Sequence, residues 1–168
     1  MDNDEYLDLV DSADNVIEKK LRSEVYEEGL SNFRVVNLLV VNSKGELWIP
    51  RRTESKKLFP LHLDLSAAGH VESGEDYVTA FERETMEEIS IDVNQIGYTD
   101  LGKLTPSQYG VSAFMHLYKI ELDEVPDYNR SDFCEYFWLT PEELLDKIEG
   151  GEKAKSDLPK LVKYFLST

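Results

Sequence analysis

Glu84, Glu87 and Glu88 stand at i, i+3 and i+4, a spacing that puts three carboxylates on one face of a helix. Like charges so placed repel by about 0.2–0.5 kcal/mol per neighbouring pair. Two settings offset that repulsion. One is a solvated acidic face. The other is a hard divalent cation, Mg²⁺ or Mn²⁺, which takes oxygen ligands and keeps waters that a phosphate can displace. A second group with chemical potential is Arg51-Arg52-Thr53-Glu54-Ser55-Lys56-Lys57, the only dense basic run in the chain. Arginine suits bidentate phosphate contacts and lysine suits point-charge contacts. The run reads as a solvated loop or as a phosphate-binding one, with Arg51, Arg52 and Lys56 as its candidates.

Both groups need elements to hold them. From Ser73 the apolar period turns helical: Ser73 can cap, Asp76 follows three residues later, and Val78, Phe81, Thr85 and Ile89 recur along one face. The basic run leaves a strand. Arg34–Val41 (RVVNLLVV) has the apolar, β-branched character of a strand buried on both faces. Asn42-Ser43-Lys44-Gly45 is turn chemistry, and Glu46–Pro50 is the return strand. Residues 51–68 read as irregular, around Pro60 and the small-residue run Ser66-Ala67-Ala68-Gly69. Tyr6–Val10 and Val16–Leu21, either side of the turn-rich Asp11–Asn15, predict an N-terminal β-hairpin, with a helical turn somewhere in 22–32. Strands are expected at 97–104, 111–121 and Glu135–Leu139. Thr140-Pro141-Glu142-Glu143 then starts a helix with proline at its first position, and a last helix covers about 156–166. Strands around a helix, without regular βα alternation, predict a mixed α/β (α+β) fold. No repeat or linker interrupts it, so one domain over residues 1–168 is expected.

Composition narrows the partners. The 168 residues carry 18 Lys+Arg against 34 Asp+Glu, a net charge of −16, which weighs against a nucleic-acid partner held by its backbone. Hydrophobic residues at 41% are enough for a packed core. The single cysteine, Cys134, permits no internal disulfide and no cysteine-based zinc cluster, and reads as a small core residue near the last strand. The acidic start MDNDEYLDLV lacks the basic and apolar regions of a signal peptide. No stretch approaches the ~20 apolar residues of a membrane span. A soluble protein of a reducing compartment, the cytoplasm, with no membrane partner, is the expectation.

Residues 69–91 read GHVESGEDYVTAFERETMEEISI. Gly69, five residues, Glu75, seven residues, Arg83-Glu84, two residues, Glu87-Glu88 resembles the Nudix hydrolase signature, G-x5-E-x7-R-E-U-x-E-E-x-G-U, with U aliphatic. Ile91 also matches. Thr85 replaces an aliphatic residue, and Ser90 replaces a glycine favoured at a helix end for its left-handed conformation. Neither departure touches a charged group. The resemblance implies a Nudix-type α/β/α sandwich with a mixed central sheet, and metal-dependent hydrolysis of an X–diphosphate–Y phosphoanhydride. It implies Mg²⁺ or Mn²⁺ on Glu84, Glu87, Glu88 and the Gly69 carbonyl, with Arg83 bracing the carboxylates in the catalytic set and Glu75 either supporting the motif or sitting near the metal's waters. Family members draw the general base from a motif glutamate or from a downstream loop. Glu87 and Glu88 are the motif candidates here; Asp132 and Glu135 are the downstream ones, with surface charge as their plainer reading. Metal would neutralise the diphosphate and acidify the attacking water, a charge inversion that an acidic protein needs in order to accept an anion.

The stretch RRTESKKLFPLHLDLSAAGHV also resembles isopentenyl-diphosphate isomerases, which share the Nudix fold and carry R-R-x-x-S-K-x-x-(F/W)-P before a Cys-Gly-His or Cys-Ser-His. Arg52 and Lys56 match the diphosphate-binding positions, and His70 matches a metal-binding histidine. Ala68 stands where the isomerase needs its catalytic cysteine, and no further histidine precedes residue 40. The wider pattern is similar to an isomerase-like Nudix branch that includes nucleoside di- and triphosphate pyrophosphatases. A nucleotide is therefore the leading substrate class, and a homodimer is compatible with what many relatives form. The alternative readings are a nucleotide-sensing Nudix module without turnover and, opposed by Ala68, a prenyl-diphosphate isomerase.

Overall fold

In the computed structural model, residues 4–168 are described; Met1, Asp2 and Asn3 of the acidic start lie outside that range. In chain order the elements are β1 (Tyr6–Val10), β2 (Val16–Leu21), α1 (Arg22–Glu27), β3 (Arg34–Val41), β4 (Leu47–Arg52), β5 (Ala67–His70) and α2 (Tyr77–Ile89). There follow α3 (Val93–Ile96), β6 (Thr99–Leu104), α4 (Pro106–Tyr109), β7 (Phe114–Glu121), β8 (Phe133–Leu139), α5 (Pro141–Glu149) and α6 (Leu158–Leu166). β1 and β2 pair as an antiparallel hairpin, and the other six strands form one mixed sheet in the order β6-β7-β3-β4-β8, with β5 also paired to β3.

The apolar run of β3 earns its central place by alternation. Val36, Leu38 and Val40 pack on one face with Ala80, Phe81 and Ile89 of α2. Leu39 packs on the other, with Leu144 of α5 and Leu158, Leu161 and Val162 of α6. β7 alternates likewise: Met115 and Leu117 join the second core, Tyr118 and Ile120 the first. Helices thus cover both faces of a mixed sheet, the α/β/α sandwich expected.

β3 and β7 run parallel in unbroken register from Arg34↔Phe114 to Val41↔Glu121. The other edge of β3 is forked. β4 meets it only at Val41↔Leu47, while β5 takes Val35 to Leu38. Ser66, fully buried, fills the crotch of the fork: its hydroxyl accepts from Val40 N–H (2.8 Å) and donates to the Trp48 carbonyl (2.7 Å). Backbone groups that ordinary strand pairing would satisfy are satisfied by one side chain. Opening the sheet here is what makes room for a cleft.

Several boundaries move from their sequence positions. α2 is capped by Asp76, which accepts from Thr79 N–H at 2.8 Å, rather than by Ser73. Ser73 instead donates to Asp8 of β1 (2.7 Å) and so ties the hairpin to the loop before α2. The small-residue stretch expected to be irregular contains β5, whose Ala-Ala-Gly-His sequence has none of the β-branched residues that mark a strand. β7 starts at Phe114, later than 111. The helix after Thr140 has the full capping box, with Thr140 and Glu143 bonding reciprocally. Cys134 is exposed on β8 and is not the core residue expected, because alternation turns Phe133 inward and its neighbour out. Among the described residues no helix is long and apolar enough to cross a membrane.

Candidate active site

The site is assembled from the outside inward by charge. Arg83 on α2 meets Glu75 with two parallel hydrogen bonds, Nε to Oε2 at 2.9 Å and Nη2 to Oε1 at 2.8 Å. It also donates to Glu84 Oε1 (2.7 Å) and to the His70 carbonyl (3.1 Å). Its hydrogen bonds to Glu75, ahead of the neighbouring Glu84 charge, hold the guanidinium firmly in its charged form. One arginine therefore fixes the loop before α2, the helix and β5 together. Arg83 and Glu75, to which the resemblance gives bracing and supporting parts, are thus brought together.

Glu84 lies against the backbone of β5. A Cβ placed on Gly69 would sit 2.1 Å from Glu84 Cδ, so only glycine leaves room for this carboxylate. Burial outweighs the Arg83 cation and, with Glu87 and Asp132 nearby, pushes Glu84 up to about 7. Glu88, one turn on, accepts from Ala68 N–H at 2.8 Å. Burial, then the charges of Glu84 and Asp64, raises it well above the usual carboxylate range. Glu87 sits at the rim, 59% exposed. Two carboxylates in raised-pKa surroundings, on one helix face, form a strong local demand for positive charge.

The donor set fits a hard divalent cation. It consists of carboxylate and carbonyl oxygens, and Glu84 Oε2 and Glu88 Oε2 carry no hydrogen bond among the described residues. No group of three such side chains is already drawn together at ligand spacing among those residues, since Arg83 and Ala68 N–H each hold one carboxylate oxygen. Seating a cation would therefore involve adjustment of carboxylate rotamers.

These carboxylates line a cleft of about 1310 Å³ at the fork of the sheet. The same cleft carries cations. Arg52, Lys56 and Lys57 line the cleft, but two are already engaged. Arg52 donates to buried Asp64 (2.8 Å), and Lys56 donates to Asp132 (2.6 Å). Asp132, whose plainer sequence reading was surface charge, thus lies in the cleft. Thr53 N–H donates to the Asp132 carbonyl (3.1 Å), and Asn129 N–H to the Glu88 carbonyl (2.8 Å), so the basic loop is linked through residues 129–132 to the end of α2. Arg51 does not join the group lining the cleft; it pairs with Glu135 and Glu152 and lies over Phe137. Glu135 leaves the site with it.

The protein matches the NUDIX domain family model over residues 31–160. It is 58% identical over 161 residues to the uncharacterized Nudix hydrolase all7351 of Nostoc sp., covering 96% of this chain and 95% of that one. A Nudix hydrolase of Deinococcus radiodurans is 44% identical over 161 residues, covering 96% and 94%. The chain belongs to the Nudix hydrolase family. The crystal structure of DR0079 from D. radiodurans superimposes with a TM-score of 0.89 at 43% identity, covering 95% of this chain and 98% of that one.

The two departures from the Nudix signature have visible consequences. Ser90 caps α2 in the left-handed region, φ 58° and ψ 34°, the conformation the usual glycine adopts freely. Thr85 is fully buried and its hydroxyl has no partner among the described residues. The helix itself runs unbroken from Tyr77 to Ile89. His70, matched to an isomerase metal ligand, lies in an aromatic nest instead. Its Nε2 is 2.6 Å from the Tyr26 hydroxyl and its ring stacks on Phe33. Burial, then the Arg22, Lys155 and Arg83 cations, drives it down to about 3, so it stays neutral. Ala68 faces the cleft without a thiol, and exposed Cys134 does not line it.

Sequence reading missed Tyr26, Asp64 and Lys155, all of which line or support the cleft. Asp64 gave one signal, a lone acid inside the apolar alternation LHLDL. Lys155 gave none. Tyr26, Phe33 and Phe59 are the aromatic residues lining the cleft, Phe33 being buried, while Phe133 packs on Trp48.

Proposed function

We propose that this Nudix hydrolase cleaves a phosphoanhydride bond in a nucleoside di- or triphosphate, using Mg²⁺ or Mn²⁺ held by Glu84, Glu87, Glu88 and the Gly69 carbonyl. The observation that carries the reading is that Glu84 and Glu88, both held above the ordinary carboxylate pKa, line one cleft together with Arg52, Lys56 and Lys57. A bound cation would offset the diphosphate charge and lower the pKa of the attacking water. The chain's own residues do the rest. The basic wall binds and orients the phosphates. Arg83 holds Glu84 in place by its hydrogen bond, and Gly69 lets that carboxylate approach the backbone. Glu87, Glu88 and Asp132 are the carboxylates from which the proton acceptor is drawn. A cleft of about 1310 Å³ exceeds the ~300–1,000 Å³ of common small-molecule sites and has room for base, sugar and phosphates. The lone cysteine suits a reducing compartment, and we place the protein in the cytoplasm.

The test is a hydrolysis screen with products separated by chromatography, over nucleoside di- and triphosphates, nucleotide sugars, dinucleoside polyphosphates and capped RNA. One substrate class should dominate, and EDTA should abolish its turnover. Glu87→Gln and Glu88→Gln should each lower turnover by about 10³-fold or more with near-UV spectra unchanged. Near-normal rates in both variants would overturn the metal-site assignment. Turnover confined to capped RNA or nucleotide sugars would redirect the substrate class.

A further inference from the structure

The C-terminal segment supplies a cation to the cleft that the Nudix motif does not contain. Lys155 precedes α6, about 70 residues beyond the motif glutamates, yet its side chain lines the cleft beside Arg52, Gly69 and His70. Its backbone is pinned. Lys155 N–H donates to the Leu63 carbonyl at 2.9 Å, Leu63 N–H donates to the Lys153 carbonyl at 2.9 Å, and Leu158 N–H donates to the Lys155 carbonyl at 3.0 Å. Leu63 bridges Arg51 on one side and Ala154 on the other, which brings the ends of three distant segments side by side.

Asp64 lies between the two cations. Its side chain is 3% exposed, with Oδ2 accepting from Arg52 Nη1 at 2.8 Å and Oδ1 lying 3.3 Å from Lys155 Nζ. Oδ1 also accepts from Leu65 N–H at 2.7 Å. A single buried carboxylate thus neutralises part of two cations while leaving each with further donors. Arg52 has one further hydrogen bond, to the Leu58 carbonyl, and Lys155 has none from its side chain among the described residues. A structural counter-ion for Asp64 would need only Arg52, which sits closer. The second cation, at longer range and 23% exposed on the cleft wall, is the one with capacity for another anion.

We infer that Lys155 is a further contact for the substrate's phosphates, and that Asp64 is the positioning residue that aims Lys155 and Arg52 into the cleft together. This rests on the hydrolase reading above. It extends the phosphate-binding wall from the loop after β4 to the start of α6, so that cations from two unconnected segments grip one ligand. Lys155 is a point-charge donor, and its contact is shared by ground and transition states, so its loss falls on KM.

Four variants test it, read by steady-state kinetics, calorimetry and thermal melts. Lys155→Met should raise KM by about tenfold or more with kcat within about twofold, and Lys155→Arg should restore most of the loss. Asp64→Asn should raise KM by a similar factor, and Lys155→Met added to it should cost much less than it does alone, because the aim is already lost. Inorganic pyrophosphate, titrated by calorimetry, should bind more weakly to Lys155→Met in step with KM. If Asp64→Asn does not fold, the Met and Arg variants at 155 still decide. An unchanged KM and unchanged pyrophosphate affinity in Lys155→Met, with only the melting temperature lowered, would overturn the inference. So would equal losses in the Met and Arg variants, since shape and not charge would then matter. A wild-type protein that turns over no nucleotide would instead overturn the hydrolase reading; pyrophosphate affinity would still judge Lys155.

Discussion

At the scale of single residues, two positions carry the most information. Gly69 is required by contact and not by backbone conformation: a methyl there would overlap the Glu84 carboxylate. Gly69→Ala is therefore expected to displace Glu84 from its place by about an ångström and to cost about 100-fold in kcat/KM, with the melting temperature only modestly changed. A steady-state assay beside a thermal melt checks both. Glu84 offers a pH test with a definite sign. Its folded-state pKa, about 7, lies above the ordinary 4.5, so folding binds its proton more tightly than the unfolded chain does. Its contribution to stability is fully present below 4.5 and is lost as the pH rises through about 7. Denaturant melts of wild type and Glu84→Gln should show the stability difference moving in the variant's favour across that window. His70, neutral throughout in the fold, has the opposite sign but is common to both proteins and cancels in the comparison.

At the scale of elements, the fork in the sheet is the feature on which the site depends. β3 is shared between β4 and β5, and Ser66 bridges the gap by bonding Val40 and Trp48. Ser66→Ala leaves a buried N–H and a buried carbonyl each short of a partner, and is expected to destabilise the fold by about 1–3 kcal/mol by denaturant melt. Losing that bridge should also loosen β5 against α2, so KM and kcat should both suffer. β5 was not legible in the sequence for a related reason. A strand of Ala, Ala, Gly and His has little propensity of its own; it exists because β3 offers it an edge and Ala68 N–H has Glu88 to bond. The longer elements were legible because they carry their own periodicity. The helix start at Thr140 was also written locally.

At the scale of the whole molecule, Asp14 holds the N-terminal hairpin to the rest. Its carboxylate takes hydrogen bonds from Arg34 of β3 (2.8 Å), Tyr77 of α2 (2.8 Å) and Lys103 of β6 (3.1 Å). Burial alone would raise its pKa, but those three hydrogen bonds outweigh it and hold the carboxyl below the usual range. Asp14→Ala leaves Arg34 without its partner and is expected to cost about 3 kcal/mol, with hydrogen-exchange protection lost first in β1 and β2. The three motif glutamates could be read from the chain, because helical spacing puts Glu84, Glu87 and Glu88 on one face whatever surrounds them. The same holds for the alternating strands and for the helix starts. Arg83, Glu75 and Gly69 were legible through the resemblance to the Nudix signature. The basic run could be read only as a group. Its members share a segment, but Arg51 goes to Glu135 and Glu152 while Arg52, its neighbour in β4, goes to Asp64 and the cleft. Asp132 and Lys155 reach the site across tens of residues of chain, through hydrogen bonds between loops that carry no periodic signal. Local spacing therefore determined which chemistry the helix could present. Only tertiary packing decided which charges stand opposite it, because a charge acts through distance in space and the sequence records distance only along the chain.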